Sequence, residues 1–421
     1  MSTLACLVLA VVVPLRIAAQ QTDSTWRDHD RAAREARLRG DWAQALAHTR
    51  RVDSLISGHP RVAFAIARAQ VHLGDTAAAV ASLQRVADMG LTDLLADSEF
   101  TTIRTTNPQL TLRLRDNAKA SGSMSIAAVL PADDFIAEGI TYDAKRRRLL
   151  VTSIRRGVVV QVDEHGRVSD FVDLVRNGGW TAFGLAVDEV RGRLWVATSW
   201  QPHNGRLARG DSGRTGVMLY DLERGRFVRR YDLPGLGREP GDLCVGANGD
   251  LFVSDGRQGE IFVLPDGADS LRVLVSRGPL VSPQGCAVDG AGRLLVADYV
   301  LGPVAVETRT GGVTLISHSS TDALNGIDGM ILRGDWLVGV QNGVNPNRVI
   351  AMRLDAGHHR VTSARVLAQD TVAIREPTHL TTIGTDVLFI ANGGFGMFDE
   401  KGNVRAGAVL VAPRIGRVRL P

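Results

Sequence analysis

Lysine is nearly missing from this chain. Of 49 basic residues only Lys119, Lys145 and Lys401 are lysine, and the rest are arginine. The arginines are scattered among 45 acidic residues and leave a formal net charge of +4. No basic stripe of the kind that grips nucleic-acid phosphates is written into that pattern, so no nucleic-acid partner is expected. Aromatic residues are also scarce, at 5%, whereas glycine is plentiful at 45 residues. Abundant glycine favours tight turns, and hence β-structure, over long helices. With only three cysteines, Cys6, Cys244 and Cys286, a disulfide-scaffolded fold is excluded. Cys244 and Cys286 can pair in an oxidising compartment, but two buried thiols is the preferred expectation. Nucleophile-elbow, phosphate-loop, CxxC and HExxH patterns are all missing.

Long apolar runs are missing too. The longest, Leu4 to Leu15, is too short to span a bilayer comfortably. Ala18, Ala19 and Gln20 follow it, as the cleavage region of a secretory signal would. Residues 1–20 are therefore expected to be a signal peptide, although no Lys or Arg precedes the run; a short buried helix is the alternative. The expectation is a periplasmic or extracellular protein with no membrane span after cleavage. Cys6 lies inside the run, which argues against a lipid anchor.

The chain is 421 residues long, 44% hydrophobic and 22% charged, enough for two or three folded units. Residues 26–100 are rich in Ala, Leu and Arg without strand-like alternation. Gly40-Asp41 recurs as Gly74-Asp75, and Ala45-Leu46-Ala47 recurs as Ala79-Val80-Ala81, always at an offset of 34. Trp42 sits where a large side chain wedges between paired helices, and Pro60 opens the next helix. This segment resembles the tetratricopeptide repeat, a 34-residue unit of two helices. Two copies are few for a free-standing array, so the helices are expected to lean on the next unit. They either dock a protein partner or serve as a structural cap. Residues 101–122 read as a linker or final capping helix.

From 123 to 415 one pattern recurs six times: an apolar strand beside Gly or Pro, a polar turn, then a strand of the form Arg-Leu-x-Val. The second strands begin near Arg148, Arg193, Asp250, Arg293, Trp336 and Val387. Turns such as Ala247-Asn248-Gly249 supply the positive φ of a tight hairpin. Six matched units predict a mainly β fold, a six-bladed β-propeller behind a small all-α segment. A two-sheet sandwich needs no such matched spacing.

In a propeller the first strands line a central channel. Alignment of the units places Glu138, Phe183, Gly241, Gln284, Asp328 and Thr378 around one opening. Two facing carboxylates repel unless a cation joins them. An oxygen-only ligand set suits Ca2+ best among divalent cations, and the lack of Cys and His in the ring argues against zinc. A solvated, metal-free channel is the alternative. Asn342-Gly343 reads as turn chemistry, and Asp255 and Asp298, which end second strands, as turn braces or a second layer behind the ring. The longer segment from Trp200 to Arg214 is either a lid or a solvent loop.

Ala137-Glu138-Gly139-Ile140, Pro283-Gln284-Gly285 and Ile327-Asp328-Gly329-Met330 fall on successive first strands. With them the region 123–415 resembles the senescence marker protein, gluconolactonase and luciferin-regenerating enzyme family. In lactonases of that family a channel calcium binds a Glu, an Asn and an Asp, with a further Asn nearby. The resemblance implies Glu138, Gln284 and Asp328 as metal ligands, with Asp328 also the catalytic base. Gln284 stands where the family has the ligand Asn, and Gly241 where it has the further Asn. Asp242, Glu376, Thr378 and His379 are implied as auxiliary, substrate-binding positions. His379 follows Thr378 directly, so strand alternation is expected to turn it from the axis. The function implied is hydrolysis of a lactone or related ester, with a small lactone or sugar-like ligand. A non-catalytic module binding a sugar or protein is the alternative.

Overall fold

The computed structural model describes residues 25–92, 97–131 and 135–421. The apolar run read as an export signal lies outside the described residues.

Two helical hairpins come first: α1 (Trp26–Leu38) with α2 (Trp42–Leu55), and α3 (Pro60–His72) with α4 (Thr76–Asp88). The 34-residue period has a local cause. Asp41 and Asp75 are the N-caps of α2 and α4, and their carboxylates accept from the backbone N–H of Gln44 and Ala78, each at 3.0 Å. Ala45 and Ala79, one period apart, are both buried, where only a small side chain lets neighbouring helices close up. Trp42 stacks on the His72 ring with centroids 3.7 Å apart, bridging the start of α2 and the end of α3. Two short helices, α5 (Thr101–Thr106) and α6 (Pro108–Asn117), complete the segment.

Six antiparallel sheets follow, and the first strand of each touches the first strands of both neighbours, closing a ring. These first strands are Ala137–Asp143, Thr181–Asp188, Pro240–Val245, Pro283–Val288, Ile327–Arg333 and Leu380–Ile383, in blades 1 to 6. Second strands such as Leu251–Asp255 and Leu294–Asp298 are buried at every residue. Blades cover both of their faces, so they read as continuous apolar runs instead of alternating ones. Ser125–Val129 pairs with Arg414–Arg419, so blade 6 is built from both ends of the propeller segment. Ser121–Gly122 adds a fifth strand to blade 5 by pairing with Val361–Gln369.

The helices rest on blades 4 and 5. Ala323 and Val344 of the propeller join the helical core around Leu83, Val86 and Phe100. The buried Arg348 side chain fastens the two parts. It donates to Met89 O of the helical segment (3.1 Å), to Ala323 O (3.2 Å) and to Gln341 Oε1 (2.6 Å). Arg27 of α1 donates to Leu280 O in a blade 4 loop at 3.0 Å.

Cys244 and Cys286 form a disulfide with Cα atoms 5.9 Å apart, which corrects the expectation of two free thiols. They lie on the first strands of blades 3 and 4, which pack side by side in the ring and bring two distant cysteines into bonding range.

His59 caps α3: its Nδ1 accepts from Arg61 N at 3.2 Å. Burial first, and then the Arg61 charge, pull its imidazole down to about 4. The unfolded chain therefore binds a proton between about pH 6.5 and 4 that the folded chain refuses, so stability falls as pH drops through that window. Urea titrations should show a loss approaching about 3 kcal/mol over the full window. His59→Asn, which caps without titrating, should flatten that part of the profile; an unchanged profile would assign the loss elsewhere.

Candidate functional site

The site is made by a backbone irregularity repeated round the ring. In blades 1 to 5 the first strand breaks register with the second within its first two residues, at Ala137/Ile140, Ala182/Leu185, Pro240/Leu243, Pro283/Cys286 and Ile327/Met330. Such bulges re-aim side chains at sheet ends. The bulged pairs are Glu138-Gly139, Phe183-Gly184, Gly241-Asp242, Gln284-Gly285 and Asp328-Gly329. In four of them the second member is glycine, because the next blade is in contact. A Cβ at Gly184 would lie 2.3 Å from Gly241 O, and one at Gly285 2.3 Å from Met330 N and 2.6 Å from Asp328 O.

All six aligned positions, Glu138, Phe183, Gly241, Gln284, Asp328 and Thr378, line one cavity of about 590 Å³ at the channel mouth. Glu376 lies on the same wall. It holds a left-handed φ of 51°, its N–H donates to Asn347 Oδ1 and its carboxylate accepts from Gly396 N. Gln201 and His203 bring the 200–214 segment to the cavity as well. That segment is tied down: Arg155 donates to His203 O, and Arg206 donates to Arg156 O and pairs with Asp173.

A charged cluster joins two of these cavity-lining carboxylates to side chains buried behind them. Glu138, Asp328 and His379 each offer one ligand atom, and the three atoms lie within 4.8 Å of one another. His379 therefore faces the axis, against the expectation from alternation. The blade 6 strand is regular only from Leu380, although His379 O still accepts from Ile390 N (3.0 Å). Just before it, Thr378 is tied to both neighbouring blades: Gly329 N donates to Thr378 O (2.7 Å) and Thr378 Oγ1 donates to Glu138 O (2.6 Å). His379 Nε2 lies 2.8 Å from Asp242 Oδ1 at a poor hydrogen-bonding angle, and Nδ1 lies 3.9 Å from Glu138 Oε1. Asp242 is thus buried against His379 below the cavity, in the bulge position that other blades give to glycine.

Burial, reinforced by the Asp328 charge, pushes the Glu138 carboxyl above the usual carboxylate range. Burial also raises Asp328, with Asn342 and His379 pulling back. Burial alone would lower His379, but the surrounding carboxylates of Asp242, Glu138 and Asp328 hold it well above its ordinary value.

The cluster fits a divalent cation. It converges two carboxylates and an imidazole, and Glu138 Oε2 is buried with no hydrogen-bond partner. A donor set with a nitrogen also suits first-row transition ions, so the argument against zinc from an all-oxygen ring falls. Gln284 turns toward blade 3: Nε2 donates to Ser282 Oγ (2.9 Å), and its amide lies over Gly241 and Gly256, where added Cβ atoms would meet it at 3.2 and 2.6 Å. The long amide occupies the room left at Gly241.

Sequence reasoning passed over Tyr299, which lines the cavity, and read Asn342, which also lines it, as turn chemistry. Both come at or just after second-strand ends, which open on the same face as the ring; that position is the signal that could have found them. Asp298 and Asp255 brace loops. Asp298 accepts from the N–H groups of Val281, Ser282, Val300 and Leu301, and Asp255 from those of Glu239, Arg257 and Gln258.

No protein-family model and no curated protein matches the sequence. Among solved structures the chain is similar to a gluconolactonase from Xanthomonas campestris, at 15% identity over 72% of this chain and 100% of that one, TM-score 0.46. It is similar to a calcium-binding regucalcin from Agrobacterium tumefaciens, at 15% identity over 70% and 96%, TM-score 0.47. It is also similar to a PQQ-bound aldose sugar dehydrogenase from Streptomyces coelicolor, at 14% identity over 72% and 99%, TM-score 0.49.

The glycine contacts are directly testable. Gly285→Ala should cost at least about 2 kcal/mol in chemical denaturation, because backbone has to move. Gly290→Ala, in a turn with open space around it, should stay within about 0.5 kcal/mol. Equal effects would remove the close-contact account of the ring.

Proposed function

We propose that the channel mouth is the active site of a hydrolase that opens a lactone or related ester with the help of calcium or another divalent cation. The observation that carries this reading is the convergence of Glu138, Asp328 and His379, with an unpartnered buried oxygen on Glu138, at the cavity. About 590 Å³ is room for a small cyclic ester or sugar-sized ligand. The motif resemblance at Glu138 and Asp328 supports the same chemistry.

Glu138, Asp328 and His379 would hold the cation. A bound divalent cation supplies Lewis-acid polarisation of the ester carbonyl and stabilisation of the developing oxyanion. Asp328 would also take the proton of the attacking water. Phe183, Ile154 and Phe395 give the cavity apolar walls that exclude water from the ring of the substrate. Gln284, Thr378 and Glu376 orient its polar groups. Export to the periplasm or extracellular space belongs to the same proposal, and the Cys244–Cys286 disulfide supports it, since disulfides persist in oxidising compartments.

A second role is favoured by the helical groove, a cavity of about 700 Å³ lined by Trp26, Trp42, Phe64, Arg37 and Arg61. Its lining of aromatic residues and arginines, two further ones paired with Asp30 and Asp97, suits docking of a protein partner, and such binding should survive Asp328→Ala.

Chelator-stripped protein should be titrated separately with Ca2+, Mn2+ and Zn2+ while melting temperature is followed, and then assayed on a lactone panel by proton release. At 100 times the dissociation constant one ion should stabilise the parent by about 2.7 kcal/mol and switch on hydrolysis. Asp328→Ala should show neither effect. Cation binding without hydrolysis of any lactone would leave a binding module, and no binding of any ion would remove the cation from the account.

A further inference from the structure

The Asp328 carboxylate is held from behind by a chain of hydrogen bonds that crosses three blades. Asn342, just past the second strand of blade 5, donates from Nδ2 to Asp328 Oδ2 (2.7 Å) and to Pro377 O (3.0 Å). At its other end Oδ1 accepts from the Tyr299 hydroxyl of blade 4 (2.8 Å). This pattern sets the orientation of the amide. Turning it over would put its oxygen against a carboxylate and a carbonyl, and its NH2 against a hydroxyl that no longer has an acceptor. Tyr299 is itself seated by backbone: a Cβ on Gly343 would lie 2.7 Å from its Cζ and hydroxyl oxygen. Pro377 is the residue before Thr378-His379, so one amide touches both Asp328 and the backbone that delivers His379.

We infer that Asn342 and Tyr299 are positioning residues for the cation site: Asn342 engages one oxygen of Asp328 and leaves the other for the cation, and Tyr299 locks the Asn342 amide in that orientation. The inference rests on the cation-dependent reading above. A first ligand whose carboxylate is hydrogen-bonded on its far oxygen enters binding with its rotamer already chosen, and loss of such outer partners typically weakens metal binding 10–100-fold. Tyr299 stays a donor at ordinary pH, since burial pushes its hydroxyl up to about 12.

The test is the dissociation constant for Mn2+, measured by calorimetry and by the electron paramagnetic resonance of free ion, on full-length parent, Asn342→Ala, Tyr299→Phe and the double variant. Asn342→Ala should bind about 10–100-fold more weakly. Tyr299→Phe, which removes one oxygen and keeps the ring, should weaken binding in the same direction by less. Because Tyr299 acts only through the amide, the double variant should be no weaker than Asn342→Ala. Should Asn342→Ala fail to fold, Tyr299→Phe still decides the question. Variant constants within twofold of the parent, or losses that add in the double variant as independent packing defects do, would overturn the inference while leaving the cation reading intact. A parent that binds no Mn2+, Ca2+ or Zn2+ would overturn both.

Discussion

The structure depends on one close contact repeated round the channel. In blades 1, 2, 4 and 5 the first strand reaches its neighbour through a bulged step whose second residue, a glycine, has no room for a side chain. Gly139 meets Phe183 O, Gly184 meets Gly241 O, Gly285 meets Asp328 O, and Gly329 meets Thr378 O. The blades can approach this closely only if those positions are glycine, and only then do the residues just before them point into a shared mouth. The packing requirement and the functional ring are therefore the same feature: glycine closes the ring, and its predecessor is presented to the cavity. Blades 3 and 6 are the exceptions. Blade 6 has no bulge, and in blade 3 the pair is Gly241-Asp242, so a carboxylate occupies the glycine place and reaches His379. The disulfide joins blade 3 to blade 4, at a junction where that glycine contact is missing.

Electrostatics follow from this geometry. Crowding Glu138, Asp242 and Asp328 into a desolvated floor would be costly as bare charge. His379 sits among them and offsets part of that charge, which is why it is held so strongly protonated despite burial. A site of this kind is poised between two compensations, an imidazolium or a divalent cation, and the Asn342–Tyr299 chain behind Asp328 keeps the carboxylate arrangement ready for the second.

Much of this was legible in the sequence, because it rests on short-range rules. The 34-residue period in Gly40-Asp41 and Gly74-Asp75 marks the turns and caps of α2 and α4. The Gly-bounded hairpins and the Arg-Leu-x-Val strands mark the blades, and aligning them brings out six of the residues that line the mouth. What stayed hidden depends on long-range pairing or on local exceptions. That Ser125–Val129 completes blade 6 with Arg414–Arg419 needs knowledge of where the ring closes. The disulfide needs knowledge of which first strands are neighbours. Alternation from Thr378 turns His379 away from the axis, but His379 lies at the irregular start of its strand, where contacts with Asp242 and Glu138 from other blades decide its direction. Asn342 was read as a turn residue because its partners, Asp328, Pro377 and Tyr299, are brought to it only by the fold.

Glu138, Asp328 and His379 are proposed to form one cation site on the channel axis. Anomalous diffraction from a crystal soaked in Mn2+ tests it most directly. A single strong anomalous peak is expected within coordination distance of a Glu138 oxygen, an Asp328 oxygen and an imidazole nitrogen of His379. A channel floor without a peak, with His379 still packed between the carboxylates, would contradict it and leave the imidazolium as the permanent counter-charge.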